Sequence, residues 1–230
     1  MTSLRVRSRS EEQMDDPALA PEVYDRVLGD LGRVNRWTFA ARPTLAFLGR
    51  ALKGRTAFRL LDVGFGEGGM LRTIACWAER RGIAADLVGV DLNAKSAAAA
   101  MAATPAGAPI RYVTGDYAGL GRFDLVVSSL VAHHMADAEL VAFLRWMEEN
   151  AGTGWLVNDL HRHGLAYAGY PLLARALGVH RIVREDGQLS IARAFRPSDW
   201  AEILGAAGVP HGEAEVCRYF PFRLCVERLR

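Results

Sequence analysis

The chain has 230 residues, half of them apolar, with 28 lysines and arginines against 26 acids and a formal charge of +2. That length suits one α/β domain able to bury roughly 70% of its unfolded surface. No apolar run approaches the ~20 residues that span a bilayer, and the cationic residues, all arginine except Lys53 and Lys95, are dispersed among the acids rather than gathered into a patch. Membrane insertion and a nucleic-acid partner are therefore not expected.

The opening "MTSLRVRSRS" lacks the apolar core of a signal peptide and is read as a mobile or loosely docked arm. From Pro17 to Leu48, apolar residues recur at helical spacing (Leu19, Val23, Val27, Leu31 and Val34, then Phe39, Leu45 and Leu48), which predicts two helices. From Phe58 the pattern changes to short apolar runs: "FRLLDV", "DLVGVD", "IRYVTGD", "FDLVVSSL" and "GWLVNDL". Each has strand length, and their near-continuous apolarity fits strands covered on both faces of a parallel sheet. Helical stretches lie between them: "GGMLRTIACWAERRG", "NAKSAAAAMAA", and "DAELVAFLRWMEEN" with Asp137 as its expected cap.

Residues 164–195 break this rhythm and are read as an inserted helix followed by an arginine-rich loop. "PSDWAEILGAAG" supplies another helix, with Ser198 as its expected N-cap, and "EAEVCRYFPFRLCVERL" reads as two strands about Pro221 forming an antiparallel hairpin. The expected architecture is a doubly wound, mostly parallel α/β sheet ending in that hairpin. Within one domain it divides into N-terminal arm and helices (1–57), a core (58–163), an insertion (164–195), and the last helix with the hairpin (196–230). Cys76, Cys217 and Cys225 match no disulfide framework or metal spacing, and are expected as buried free thiols in a reducing cytoplasm.

"LLDVGFGEGGM" carries Gly64, Gly66 and Gly69 in the spacing G-x-G-x-x-G, where a strand turns into a helix. Such a turn brings backbone N–H groups and a helix N-terminus against a ligand. A dinucleotide site keeps its strand apolar up to the first glycine, whereas Asp62 stands two residues before Gly64, where a carboxylate would repel a pyrophosphate and attract a cation. "LLDVGFGEG" resembles the first motif of the class I S-adenosylmethionine-dependent methyltransferases, approximately (L/V)LD(V/I)GxGxG. "LVGVDLN", "VTGDY" and "FDLVVSSLVAHHM" resemble that family's later motifs in order.

The resemblance covers about residues 58–160 and implies the Rossmann-like methyltransferase fold with S-adenosylmethionine as cofactor. It implies a cofactor site of Asp62, Gly64, Phe65, Gly66, Gly68, Asp91, Leu92, Asp116, Tyr117 and Ser128, with Asp91 on the ribose and Asp116 beside the adenine. The layout is also similar to small bacterial methyltransferases of quinone or aromatic polyketide pathways, which implies a place in secondary metabolism.

An ionisable acceptor needs a base, and four histidines lie at predicted strand ends. His134 is the first choice, His161, beside Asp159, the second, and His133 the third. His161 and His163 do not complete a metal site, and no metal is expected. "SSLV" at residues 128–131 is not the (N/D)PP(Y/F) motif of methyltransferases acting on adenine, cytosine or glutamine amide nitrogens, which with the dispersed charge favours a small acceptor; the insertion points to an aromatic one, lined by His163, Tyr167, Tyr170 and Arg193 and methylated on oxygen or carbon. The chain is expected to act as a monomer or homodimer. A nicotinamide-dependent oxidoreductase and a non-catalytic S-adenosylmethionine-binding partner protein stay open as alternatives.

Overall fold

In the computed structural model, which describes residues 4–16 and 18–230, the apolar runs all become strands: β1 (Ala57–Val63), β2 (Ala84–Asp91), β3 (Ile110–Thr114), β4 (Phe123–Ser129), β5 (Ala151–Leu160), β6 (Glu215–Tyr219) and β7 (Arg223–Leu229). They form one sheet in the order β3-β2-β1-β4-β5-β7-β6. The first five pair in parallel and β7 runs antiparallel to both its neighbours, as the terminal hairpin requires. Leu60, Leu61, Leu87, Val88, Leu125, Val126 and Leu156 are fully buried, which is why these strands read as continuous apolar runs rather than alternating ones.

Helices cover both faces: α1 (Pro21–Trp37), α2 (Ala41–Ala51), α3 (Gly69–Glu79), α4 (Ala94–Ala103), α5 (Asp137–Asn150), α6 (Gly164–Ala176), α7 (Arg181–Arg193) and α8 (Pro197–Ala207). One apolar core packs α5 and α8 on the sheet around Phe143, Trp155 and Trp200. A second packs α2 and α3 around Phe47, Leu71 and Trp77. A third joins α1, α6 and α7 through Val27, Val34, Ala174 and Val183. None of these helices is long and apolar enough to cross a membrane.

Local expectations are corrected at several points. The arginine-rich stretch expected as a loop is helix α7, because Ile182, Val183 and Ile191 fall on one side of it and bury. Asp137 and Ser198 lie inside their helices; the N-cap positions are Ala136 and Arg196, whose backbone N–H groups donate to Glu139 and Asp199 three residues on. Of the cysteines only Cys225 is buried; Cys217 is partly exposed and Cys76 exposed, all three free.

The arm is not loose where it is described. Arg7 stacks 3.8 Å from the centre of the Phe195 ring, donates to the carbonyls of Arg193 and Met135, and pairs with Asp137. Ser8 N–H donates to Ala192, and the N–H groups of Gln13 and Met14 both donate to the buried Asp186 carboxylate on α7. Residues 1–3 of the expected arm, and Pro17, where the first helical stretch was expected to begin, lie outside the described residues.

Arg193 is the bolt of this arrangement. Nearly buried, it donates to the carbonyls of His133 and His134 on one side and Ser10 on the other. Charge-assisted bonds of this kind are worth about 1.5–3 kcal/mol each when broken singly. Arg193→Ala should therefore lose at least about 2 kcal/mol of stability, read by urea unfolding, and make the first twenty or so residues more susceptible to limited proteolysis than in the parent protein.

Candidate functional site

The strand order reverses between β1 and β4, and their carboxyl ends open a crevice between helices leaving on opposite faces, the usual ligand position in a doubly wound sheet. The crevice here is a cavity of about 1540 Å³. That exceeds the ~300–1,000 Å³ typical of a pocket for one drug-sized ligand and suits two.

One half of the cavity is built by the glycine turn. Gly64 and Gly66 have φ of +77° and +53°, and a Cβ on Gly64 would fall 2.3 Å from Val131 Cγ2. The turn therefore closes against the β4 loop only with glycine there. Asp91 ends β2 and accepts from the N–H groups of Gly66 and Asn93, both at 2.9 Å, which aims its carboxylate at the turn. Leu92 next to it is 80% exposed and lines the cavity. Asp116 follows β3, accepts from Ala118 N–H, and is followed by Tyr117, which packs between Phe143 and Trp146.

Asp62 is the anomaly. It is buried, lines the cavity, and neither carboxylate oxygen has a hydrogen-bond partner among the described residues. Burial, with Asp91 nearby, pushes its carboxyl up to about 8. A sealed carboxylate without a donor suits a ligand that brings a positive charge, such as an ammonium. It is the wrong group to meet a pyrophosphate, which weighs against a nicotinamide cofactor.

Phe65, which also lines the cavity, and Gly68 support the turn. Phe65 packs on Tyr112, ring centres 4.8 Å apart, and Gly68, at φ +75°, leaves room for the Tyr112 hydroxyl. Ser128 is buried and donates to Val63 C=O, tying β4 to β1 without lining the cavity.

The other half holds a cluster of imidazoles and carboxylates. After β4 the chain passes Leu130, at φ +63°, into a single 3-10 turn, Ala132–His134. His133 is buried, its N–H donates to Asp159 Oδ2 at 2.9 Å, and its Nδ1 meets Asp159 Oδ1 at 2.7 Å. His134 is 30% exposed and its Nδ1 lies 3.2 Å from Asp15. The rings pack 4.3 Å apart, and both Nε2 atoms face Glu12, a nearly buried carboxylate brought in by the arm and bonded by Ser190 Oγ at 2.8 Å. Burial raises the Glu12 carboxyl above its ordinary value, partly offset by His134, the Ser190 hydroxyl and Arg193. Tyr170 and Leu173 of α6, with Ile191 of α7, wall this half, and the Tyr170 hydroxyl donates to Val183 C=O.

The remaining expected residues stand outside the cavity lining. Asp159 serves His133 rather than His161. His161 has its N–H on Phe222 C=O, and burial, with His163 and two arginines, lowers its ring. His163 caps α6 through Leu165 N–H and stacks on Phe222. Tyr167 accepts from Gln188 through its carbonyl, and Arg193 bolts the arm. Glu12 and Asp15 were missed by sequence reasoning because nothing periodic or motif-like marks them. Among the described residues, the non-glycine positions with positive φ, Phe39, Leu130 and Phe222, all line this cavity.

Residues 60–150 match a family model described as a methyltransferase domain. No curated protein sequence matches the chain significantly. Among solved structures, magnesium protoporphyrin IX methyltransferase from Synechocystis PCC 6803 is similar over 95% of this chain and 91% of its own, at 16% identity and a TM-score of 0.56. A SAM-dependent methyltransferase from Aquifex aeolicus is similar over 92% and 98%, at 14% identity and 0.62. Human N-acetylserotonin methyltransferase is similar over 96% and 63%, at 15% identity and 0.62. These likenesses carry the fold, and the methyltransferase-domain match runs from β1 through α5, across the glycine turn, Asp91, Asp116 and the histidine pair. The matched segment, residues 60–150, is similar to a methyltransferase domain and carries the motifs that resemble the class I S-adenosylmethionine-dependent methyltransferases.

Proposed function

We propose that the protein transfers the methyl group of S-adenosylmethionine to a small, partly apolar aromatic acceptor, a phenol, quinol or polyketide-derived ring, bound beneath α6 and α7. The observation that carries this reading is one continuous cavity with an orphaned carboxylate at one end and two imidazoles at the other.

In the donor half, Asp62 receives the α-ammonium, Gly64 and Gly66 approach the methionine part, and Asp91 takes the ribose hydroxyls. Leu92, Asp116 and Tyr117 flank the adenine, while Phe65, Gly68 and Ser128 support the turn. In the acceptor half, Tyr170, Leu173 and Ile191 give apolar walls that exclude water, and the acceptor's hydroxyl is ionised at the histidine pair. His134, the more exposed of the two, lies nearer the ring. His161, His163, Tyr167 and Arg193 support these walls from outside. Methyl transfer is an in-line displacement at an already activated carbon, so holding the ionised acceptor against the sulfonium provides much of the rate.

Two outcomes are expected. Asp62 is largely protonated in the ligand-free protein at neutral pH and must ionise to hold the ammonium. S-adenosylhomocysteine should bind with release of a proton, and affinity should climb from pH about 6 towards about 8. Asp62→Asn should flatten that dependence and weaken binding at least about tenfold, as loss of a charge-assisted pair does. Calorimetry in buffers of different ionisation enthalpy reads both. Because the folded carboxyl titrates above its unfolded value, its contribution to stability is lost as pH rises towards about 8. The same variant should therefore melt higher than the parent protein at pH 8 without ligand.

For the acceptor half, His134→Ala should lower turnover about 10²-fold or more with donor affinity unchanged. The deficit should shrink as pH approaches the acceptor's own pKa, ~10 for a phenol. His161→Ala should turn over normally. Steady-state kinetics on a panel of phenols and quinols checks this, and normal turnover by His134→Ala would refute the acceptor-side reading.

A further inference from the structure

Glu12, His133 and His134 come from two distant parts of the chain and aim at one point. One Glu12 oxygen stands 3.7 Å from His133 Nε2 and the other 3.8 Å from His134 Nε2. One ligand atom from each of the three residues lies within 4.8 Å of the other two. These gaps are too long for hydrogen bonds and somewhat wider than the roughly 3.4 Å between ligands around a tetrahedral cation with bonds near 2.1 Å. A small inward movement would close them on a single central atom.

The far side of each ring is already committed. His133 Nδ1 is on Asp159 at 2.7 Å and His134 Nδ1 on Asp15 at 3.2 Å. A carboxylate accepting from Nδ1–H fixes the tautomer that leaves the Nε2 lone pair free, and metal-bound histidines almost always have such a partner. Here both rings have one, and both free lone pairs face the same nearly buried carboxylate. The nearby cations Arg7 and Arg193 are occupied by backbone carbonyls of the same loop.

We propose that Glu12, His133 and His134 bind a divalent transition-metal cation, zinc or a neighbour such as iron(II) or manganese(II), with its open positions facing the acceptor. Two imidazoles and one carboxylate on one side of a cation suit these metals and leave room for a further oxygen ligand. This rests on the reading above that the acceptor's hydroxyl reaches the histidine pair. An acceptor hydroxyl bound there ionises more readily, as water does on zinc, and its proton leaves to solvent. The acceptor oxygen then forms its bond to the methyl carbon while the carbon–sulfur bond breaks, its electron pair returning to sulfur. The products are a methyl ether, S-adenosylhomocysteine and one proton. A ligating histidine cannot also take that proton, so the cation replaces the histidine general base expected from the sequence.

Metal binding tests this without any acceptor. Full-length protein stripped with a chelator should take up one equivalent of ZnCl₂ by calorimetry and of CoCl₂ by visible absorption, with the bands of a low-coordinate site. Glu12→Gln and His134→Ala should each weaken zinc at least about 100-fold, and Asp15→Asn, which leaves the ligands intact, about tenfold. His161→Ala should bind zinc as the parent protein does. S-adenosylhomocysteine affinity retained by Glu12→Gln shows that this variant is folded. No stoichiometric uptake, or uptake unchanged by Glu12→Gln and His134→Ala, would overturn the proposal. Either result leaves the turnover of His134→Ala to decide the acceptor-side reading separately.

Discussion

Everything in this molecule depends on the crevice between β1 and β4, where neighbouring parallel strands send their following helices to opposite faces. Backbone atoms at that point have no covering layer, so side chains leaving the strands meet a hollow rather than a core. Asp62 at the end of β1 is the result: a buried acid facing the hollow, with no donor among the described residues. His133 and His134 are carried by the loop after the adjacent strand, and Asp159, at the end of the next strand over, fixes the first of them. Three consecutive strand ends thus set the spacing between the orphaned carboxylate and the histidine pair.

The second half of the chamber is assembled from pieces far apart in sequence. Asp186 on α7 holds the arm's backbone, Ser190 one turn on holds Glu12, and Arg193 clasps the arm to the histidine loop. The insertion is therefore more than a lid. It is the scaffold on which the N-terminal residues become part of the site, and a carboxylate as buried as Glu12 is tolerable only because the hydroxyl and the imidazoles surround it.

Legibility followed how local each signal is. The five parallel strands and the hairpin were readable because burial on both faces, or alternation about Pro221, is written in consecutive residues. That Asp62, Gly64, Gly66 and Asp91 gather at one turn was readable because a tight turn and a strand end leave a fixed spacing. The α7 helix reads as a loop in the sequence because its arginines mask the few apolar residues that bury. Helix starts at Asp137 and Ser198 were misplaced because the acid that receives the backbone N–H lies three residues inside the helix, not at its head. Asp159 could be seen at a strand end, but which histidine it faces depends on how β4 and β5 pair. Glu12 and Asp15 had no local mark, since their role exists only once the arm crosses α7.

The left-handed backbone of Phe39, Leu130 and Phe222 has a further consequence. Holding a side chain in that region costs of order 1–3 kcal/mol, a cost that glycine would avoid. All three residues line the chamber, so the fold carries this strain in the cavity wall. A search for thermostable variants by heat challenge alone would tend to collect glycines at these positions and strip the chamber of its side chains. Selection of hardier versions of this protein therefore has to be run under the proposed methyl transfer, with survival of heating as the second criterion.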